Sequence, residues 1–324
     1  TQINQASFSP NALTATSVVI DEAVFRAGDV LATTSGERVL VTAVSANGLT
    51  LTLRRGFGGT TAGALADNQV LTLVANAALE GAAADDARAG ARVRKHNYCQ
   101  ILSATVEVSG TMQASALHGV RDEVDYQRQE RLRELLRDLE NAVINGVANA
   151  TTPGGSGTER RTMNGLLAMI TTNTLSPGVG GMPDGGGGGA DELTEELLNA
   201  AMRRVWENAS TGLDTILVNG AQKRQINSFA GAVRTAASDR VLRDGIDVYE
   251  SDFGVCRVVM SRWAPRGSVV LLDSSRCRVM PMRQRSFGYR ELAQVGDSVR
   301  GQVLGEYTLE LRNESAHAVL SGLS

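Results

Sequence analysis

Few residues in this sequence have the types and spacing that catalysis or metal binding needs. Histidine is the usual acid, base or ligand near neutral pH, and the chain has three, His96, His118 and His317. His96 and Cys99 have a possible ligand spacing, but no second pair is near them, and positions i and i+3 of a strand face opposite ways. We therefore predict no metal site and no cofactor, and we interpret His317 as a satisfied polar residue.

A cysteine nucleophile is the second chemical hypothesis. Cys99 or Cys256 would need a histidine and a third, orienting group in one pocket. The three cysteines, which include Cys277, are odd in number and widely spaced. This pattern argues against a disulfide framework and fits buried thiols in a reducing cytoplasm. We predict no catalytic residue and no enzyme activity; a Cys/His hydrolase is kept as a rival that requires His96 and Cys99 in one pocket.

Carboxylates are plentiful, but they alternate with arginine at three- and four-residue spacing, which is typical of ion pairing rather than acid/base chemistry. The predicted pairs are Arg121 with Asp125, Glu130 with Arg133, and Glu134 with Arg137. Only Lys95 and Lys223 are lysines among 32 basic residues. Arginine is favoured in planar pairs at interfaces, although a GC-rich genome gives the same bias. We predict assembly contacts at these six paired residues and at Arg54 and Arg55.

Composition excludes several classes of protein. The 324 residues are 42% hydrophobic with a formal net charge of −3, which suits an ordered globular chain. No basic run is interleaved with aromatic residues as a nucleic-acid groove requires, so we expect no specific DNA binding. No run of 18 apolar residues occurs, and the start TQINQASFSP has neither a basic flank nor an apolar segment. We expect no membrane span and no signal peptide.

Residues 18–75 predict a small all-β unit. Asn47-Gly48 stands between two alternating apolar runs, and because both residues tolerate a positive φ this pair is a strong hairpin signal. The stretch RGFGGTTAG at 55–63 is rich in glycine like a phosphate loop, but it lacks the lysine and no helix pattern follows. We interpret it as a turn.

The middle of the chain changes from extended to helical patterns. RVRKHNYCQILSATVEVSG predicts an extended arm that ends at Gly110. A helix follows from about 116 to 149, on the order of 50 Å long. A shorter helix is predicted at 161–173, and the glycine-rich stretch 176–190 is predicted to be a flexible loop.

The last third predicts an α/β unit and a returning strand. A capped helix over 191–208 precedes the strand TILVNG, the helix AQKRQINSF and the strands IDVYES, VCRVVMSR, SVVLLD and RCRVMPM. GQVLGEYTLELRNESAHAVL then alternates apolar and polar residues over its first half. We expect this segment to be a half-buried strand that completes a sheet begun far upstream, with its polar face toward solvent or a neighbouring copy.

Six separated blocks carry a family resemblance: VEVSGTMQA, DEVDYQRQERLRELLRDLENAVING, RTMNGLL, LVNGAQKRQI, VYESDFGVCRVVMSRWAP and GEYTLELRNESAHA. Their order resembles tailed-bacteriophage major capsid proteins of the HK97-like fold, and among them the SU10-like major head proteins. The similarity covers the chain from about residue 18 onward. It implies an α+β fold with a long spine helix, peripheral and axial domains, and an extended E-loop that carries an inserted small β subdomain.

The resemblance also implies a division of the chain. The expected segments are an E-loop segment 1–17, the inserted β subdomain 18–76, the E-loop return arm 77–113, the peripheral domain with its spine helix 114–175, the glycine-rich loop 176–190, the axial domain 191–296, and a returning strand of the peripheral domain 297–324. Members normally have an N-terminal arm before the E-loop. The sequence leaves open whether such an arm is cleaved or lies outside the chain given.

The implied function is structural. The chain is expected to self-assemble into pentamers and hexamers of an icosahedral phage head that encloses double-stranded DNA without binding it specifically. The implied partners are portal and scaffolding proteins and a decoration protein, with assembly in the host cytoplasm and the virion as final location. Rivals are an encapsulin-type nanocompartment of the same fold and a monomeric ligand-binding β module, for which a long helix has no use.

Some relatives of this fold lock their shells by an isopeptide bond between an E-loop lysine and an asparagine on a neighbour. Residues 1–94 contain no lysine, and arginine cannot replace it because it stays protonated. We therefore expect a shell held by non-covalent contacts.

Overall fold

The computed structural model describes residues 1–81, 94–115, 122–189, 191–209, 212–229, 248–294 and 296–324. The chain divides into two compact units, Thr1–Arg92 and Val93–Ser324. Among the described residues, no helix combines the length and the apolar character needed to cross a bilayer.

The first unit is built on a five-stranded antiparallel sheet, as the pattern of residues 18–75 predicts. Its strands are β1 (Ser17–Val19), β2 (Asp29–Thr33), β3 (Arg38–Val44), β4 (Thr50–Arg54) and β5 (Leu71–Asn76). They lie in the order β1-β4-β3-β2-β5. Alternate residues such as Leu31, Val39 and Leu51 point into one core, since successive side chains of a strand face opposite sides of the sheet.

Residues 1–17 also belong to this unit, although the sequence boundaries set them apart. Ile3 is fully buried in the same core and forms a bridge with Ile20. Its amide donates to the Gln69 carbonyl at 2.9 Å. One apolar residue within TQINQ has no periodicity, so a pattern-based prediction cannot assign it to a core.

Both predicted turns of the first unit are present. Gly48 has φ +76°, and the Ser45 amide donates to the Thr50 carbonyl at 2.9 Å to close the β3–β4 connection. Within residues 55–63, a 3-10 turn at Phe57–Gly59 follows Gly56, whose φ is +62°. Glycine is favoured at such positions because it has no Cβ.

The second unit combines helices with two sheets. Its helices are α1 (Gly110–Ala114), α2 (Glu123–Asn145), α3 (Leu166–Met169), α4 (Glu195–Asn208) and α5 (Gly220–Ser228). Its strands are β6 (Gln100–Ser109), β7 (Thr174–Leu175), β8 (Thr215–Val218), β9 (Val248–Ser251), β10 (Gly254–Met260), β11 (Ser268–Leu272), β12 (Cys277–Pro281), β13 (Gly288–Glu291), β14 (Ser298–Leu311) and β15 (Ala318–Ser321).

The long strand predicted near the end of the chain is β14, and it is the centre of a four-stranded sheet. It pairs with β6 along one side and with β12 and β13 along the other, all antiparallel. One face of this sheet packs on α2, where Leu102, Val303 and Leu309 share a core with Leu135 and Leu139. A sheet begun at β6 is thus completed by a strand about 190 residues later.

Helix α2 is shorter than the 116–149 helix predicted, and residues 116–121 lie outside the described residues. At 23 residues it is roughly 35 Å long. The predicted C-terminal end is wrong because the chain leaves the helix at Gly146. The Gly146 carbonyl accepts from the Gly165 amide at 2.8 Å, and the Ala148 amide donates to Asn164 Oδ1 at 2.8 Å. Residues 146–148 therefore pair with a later segment instead of continuing the helix.

The helix predicted at 161–173 is reduced to the four residues of α3. Tertiary contacts hold the preceding residues in a non-helical conformation: the Arg161 side chain binds Glu306, and the Asn164 amide donates to Asn97 Oδ1 at 2.9 Å. Contacts with residues far along the chain outweigh the local preference for helix.

The six-stranded sheet has the order β7-β15-β11-β8-β10-β9. Helix α4, which covers most of the helix predicted at 191–208, buries Leu197, Leu198, Ala201 and Val205 against it. The helix begins later than the predicted residue 191, because Thr194 Oγ1 accepts from the Leu197 amide at 3.2 Å as the N-cap.

Sheet membership differs from the segment boundaries predicted for this unit. Strands β12 and β13 lie in the four-stranded sheet although they fall within 191–296. Strands β7 and β15 lie in the six-stranded sheet although they fall within 114–175 and 297–324. The chain therefore crosses between the two sheets several times.

Candidate functional site

The candidate site is the outer face of the four-stranded sheet, opposite the face that packs on α2. Because β14 alternates, Gln302, Glu306 and Glu310 point to this side. Their cross-strand neighbours include Arg290, opposite Gln302, and Arg278, opposite Glu310. On β6 the residues of this face, Ile101, Ser103, Thr105 and Glu107, are exposed. A surface that combines charges of both signs with exposed apolar side chains such as Ile101 suits binding to another macromolecular surface rather than bond-making chemistry.

Glu306 differs from the rest of this face because it is 3% exposed. Its Oε2 lies 2.7 Å from Arg285 Nε, and Arg161 Nη2 donates to its Oε1. The Glu306 amide donates to the Arg285 carbonyl at 2.8 Å, and Arg161 Nε donates to the Cys99 carbonyl. One buried carboxylate thus joins β14 to two other segments, and Arg161 extends the network to Cys99; removing the carboxylate would leave two guanidinium groups without their charged partner.

Charged side chains cover the exposed side of α2, and their pairing differs in part from the prediction. Glu130 pairs with Arg133 as predicted. Glu134 pairs with Arg131 at 2.6 Å instead of with Arg137. Arg137 is exposed and has no ion pair within the described part of the chain. Exposed pairs of this kind contribute only about 0.3–0.5 kcal/mol each.

The first turns of α2 carry a second set of charges. Asp122 is the N-cap, and its Oδ1 accepts from the Val124 amide at 2.9 Å. Asp125 pairs with Arg128 at 2.5 Å, and the Arg128 guanidinium also lies 5.6 Å from the centroid of the Tyr289 ring. Arg121, the predicted partner of Asp125, lies outside the described residues.

Arg54 and Arg55 have different environments in the first unit. Arg54 is exposed at the end of β4. Arg55 points inward, where its Nε and Nη2 each donate to Glu37 at 2.8 Å and its Nη1 donates to the Ala15 carbonyl at 3.0 Å. This internal role differs from the assembly contact predicted for Arg55, because the buried Glu37 side chain requires a charged partner.

Glu37 accepts two further hydrogen bonds, from the Gly56 amide at 2.9 Å and the Gly63 amide at 3.0 Å. Burial by itself raises the pKa of this carboxyl, but the bonds from Arg55 and the two glycine amides outweigh it and hold the pKa below its ordinary value. Glu37 is therefore ionised at neutral pH and fixes the turn at 55–63.

The residues considered for catalysis are not brought together. His96 is exposed, Cys99 offers its carbonyl to Arg161, and His118 lies outside the described residues. Burial raises the pKa of Cys256 and of Cys277 to about 12, so both thiols are protonated at neutral pH and are poor nucleophiles. Across the described ranges, no group of three or more metal-ligating side chains could hold a metal ion.

His317 is a buried polar residue with partners, as predicted. Its Nδ1 accepts from the Asp273 amide at 3.3 Å, and its Nε2 lies 3.3 Å from the Arg312 carbonyl. Burial lowers the pKa of this imidazole, so it is neutral at pH 7 and donates through Nε2. It lies where the connections β11–β12 and β14–β15 cross between the two sheets.

Glu37 and Glu306 are buried carboxylates whose arginine partners are distant in sequence, and no sequence pattern predicted their roles. Glu37 follows a Ser-Gly turn, and Glu306 occupies a polar position of an alternating strand, so both patterns predict solvent exposure. One sequence signal for such buried carboxylates is an arginine in an ordered segment without an acidic residue at helical spacing. Arg55, Arg161 and Arg285 are of this kind. Their partners lie 18, 145 and 21 residues away along the chain.

Known proteins resemble this chain in sequence and in fold. The major capsid protein of Escherichia phage Phieco32 is 38% identical over 73 residues, which are 22% of this chain and 21% of that protein. The matched segment thus spans about a fifth of that relative. The satellite phage P4 procapsid, whose structure includes the size determination protein, aligns with 78% of this chain and 79% of its own chain, with TM-score 0.51 and 13% identity.

A solved structure from Gordonia phage Cozz gives TM-score 0.50 at 16% identity over 79% of this chain and 80% of that one. At these identities the two structures show a shared fold of mixed helix and sheet. The sequence profile of the SU10 major capsid protein matches residues 11–324, which confirms the predicted resemblance. The chain belongs to the SU10 major capsid protein family.

Proposed function

We propose that the chain is the repeating structural subunit of an icosahedral phage head. In this function, copies associate into pentamers and hexamers, and the closed shell encloses double-stranded DNA without sequence-specific contacts. The observation that carries the proposal is the family match over residues 11–324. The absence of a strong positive charge, with a net charge of −3, is consistent with a lining that does not grip DNA through many phosphates.

The segment roles are part of the proposal. Helix α2 serves as the spine helix of a peripheral domain over 114–175, completed by 297–324. Residues 176–190 form a glycine-rich loop and residues 191–296 an axial domain, with β12 and β13 crossing into the sheet of β14, and β7 and β15 crossing into the six-stranded sheet. Residues 1–17 and 77–113 form an E-loop that carries the inserted β subdomain 18–76. Two observations support these roles: the first unit has its own core, and α2 packs on β14.

The proposed assembly contacts are the charged residues Arg54, Arg121, Asp125, Glu130, Arg133, Glu134 and Arg137. The side chains of Arg133 and Glu130 are 62% and 30% exposed, so their pair can exchange partners at little cost when another subunit approaches. Arg55 is left out because its guanidinium is already bound to Glu37.

Further partners follow from the same function. A head of this kind needs a portal and scaffolding proteins, with a decoration protein as an additional partner, and it forms in the host cytoplasm before becoming part of the virion. An enzyme activity is not part of the proposal. An encapsulin-type compartment is the alternative, and the family match to a viral capsid protein favours the phage head.

Negative-stain electron microscopy of the purified full chain tests the proposal. We expect closed shells or capsomer rings. Dispersed monomers at high protein concentration would contradict it. Nuclease-protected DNA inside particles recovered from infected cells supports the phage head, whereas a protein cargo in place of DNA supports the encapsulin-type alternative.

A further inference from the structure

The segment 276–292, which includes β12 and β13, has the composition of a protein interface. It contains five arginines and one acidic residue, Glu291. Two of the arginines have internal partners, since Arg276 pairs with Asp273 at 2.8 Å and Arg285 with Glu306 at 2.7 Å. The other three, Arg278, Arg283 and Arg290, are exposed and make no ion pair within the described residues. We call residues 276–292 the arginine-methionine segment.

Exposed apolar side chains accompany these arginines. Met280, Met282 and Leu292 are 43%, 46% and 42% exposed, and Val279 is similarly open to solvent. Methionine and arginine are enriched where proteins bind each other, so exposed methionines beside unpaired arginines favour a protein interface. Strands β12 and β13 also form one border of their sheet, since their pairing partner β14 lies on their other side.

The same chain carries a surface of opposite charge. Residues 184–196, which we call the acidic segment, contain Asp184, Asp191, Glu192, Glu195 and Glu196 and no basic residue. Glu195 and Glu196 lie in the first turn of α4, where negative charge stabilises the helix. That effect does not account for the other three, which precede the helix. None of the five has an ion pair in the described ranges, and Asp184, Glu192 and Glu196 are exposed.

These two segments lie toward opposite ends of strand β11. The acidic segment is close to the beginning of β11, because the Ser324 amide donates to the Asp191 carbonyl at 3.1 Å and Ser321 pairs with Ser268. The arginine-methionine segment follows the other end of β11, Leu272. Four residue steps of a strand separate these ends by about 13 Å. A contact between the segments therefore fits two chains better than one.

We infer that the arginine-methionine segment of one subunit docks on the acidic segment of the next copy of this chain. The contact is head to tail, so each subunit uses one segment on each side and a ring can close. Buried methionine and leucine side chains contribute apolar area, and the arginine-carboxylate pairs set the orientation. The inference rests on the proposed function and names the contact that holds its rings together.

Charge reversal in the full chain tests the contact. One variant carries Arg283→Glu with Arg290→Glu, a second carries Asp184→Arg with Glu192→Arg, and a third combines all four changes. Sedimentation velocity over a series of NaCl concentrations measures ring formation. We expect each double reversal to weaken association at least about tenfold and to reduce its salt dependence, and the fourfold variant to recover most of the loss.

A mixture of the two double-reversal variants gives a sharper result. In a ring where they alternate, every contact again joins opposite charges, so a 1:1 mixture is expected to form rings with an even number of subunits. Native mass spectrometry should detect alternating hexamers and no pentamers. Neither variant alone should form these hexamers.

A matched control changes net charge equally at other exposed positions, with Arg224→Glu and Arg262→Glu. Equal loss in this control would overturn the inference, because net charge alone would then explain the effect. Unchanged association of both double reversals, or no recovery in the fourfold variant and the mixture, would also overturn it while leaving the proposed function intact. A wild-type chain that stays monomeric in every condition would instead refute the proposed function.

Discussion

The Glu37→Gln substitution in the first unit offers a direct test of the energetic argument. The carboxylate of Glu37 accepts four hydrogen bonds of 2.8–3.0 Å, two from Arg55 and one each from the Gly56 and Gly63 amides. Glutamine has nearly the same shape, but it is neutral and its amide nitrogen faces donors instead of accepting from them. The change therefore removes the negative charge that pairs with Arg55, and it leaves one N–H of the guanidinium and one backbone amide without their acceptor.

The expected cost is about 3–5 kcal/mol, the range found when one partner of a buried ion pair is removed. Because every 1.4 kcal/mol is a factor of ten, the turn at 55–63 should open roughly two to three and a half orders of magnitude more often. Hydrogen exchange of the full chain, followed by mass spectrometry, measures this opening in peptides that cover residues 37–63. The second unit should keep its exchange pattern, since it has cores of its own.

Glu22→Gln is the matched control, because Glu22 is exposed and the change in charge is the same. It should leave exchange in the first unit unchanged. If Glu37→Gln exchanges like the wild type and Glu22→Gln, the assignment of Glu37 as the anchor of the turn is wrong. An equal increase over the whole chain would also refute the argument, because it predicts a local effect.

The pH dependence of the same peptides provides a second readout. The folded-state pKa of Glu37 lies below its ordinary value of 4.5, so its contribution to stability is complete above that pH. This contribution is lost as the pH falls through the lower, folded-state pKa. The wild type should lose protection at 37–63 below about pH 4.5, after correction for intrinsic exchange rates, and Glu37→Gln should lack this component.

Three other outcomes are expected. Gly301→Ala places a Cβ 2.1 Å from Tyr289 Oη, so it overpacks the contact between β14 and β13. The free energy of unfolding, measured by urea titration, should fall by about 1–3 kcal/mol. An unchanged urea midpoint would contradict the packing described. Glu306→Gln should destabilise the second unit by about 1–3 kcal/mol, because it removes the negative charge that two partly exposed arginines share. Tryptophan fluorescence in urea measures this change, and wild-type stability would count against the network. Shells boiled in detergent under reducing conditions should run on a gel as single chains of about 34.2 kDa. The reason is that an isopeptide cross-link needs a lysine, and only Lys95 and Lys223 are lysines. A ladder of covalent oligomers with Lys95 in a branched peptide would refute a non-covalent shell.

The local patterns in the sequence determine the elements whose cause is local. The alternation of β14 and β6, the turn at Asn47-Gly48 and the apolar face of α4 could all be predicted, because period and turn chemistry depend on residues close in sequence. The same patterns place charged residues along α2. They also show how little of the chain has the residue types that catalysis requires.

The tertiary structure decides where these elements stop and which charged groups are buried. Helix α2 ends at Gly146 because residues 146–148 pair with 164–165, and α3 is short because Arg161 and Asn164 bind partners far along the chain. Glu306 has the same position in the pattern as exposed neighbours, yet two distant arginines cover it. Such contacts depend on which segments meet in three dimensions, and no periodicity along the chain encodes that meeting.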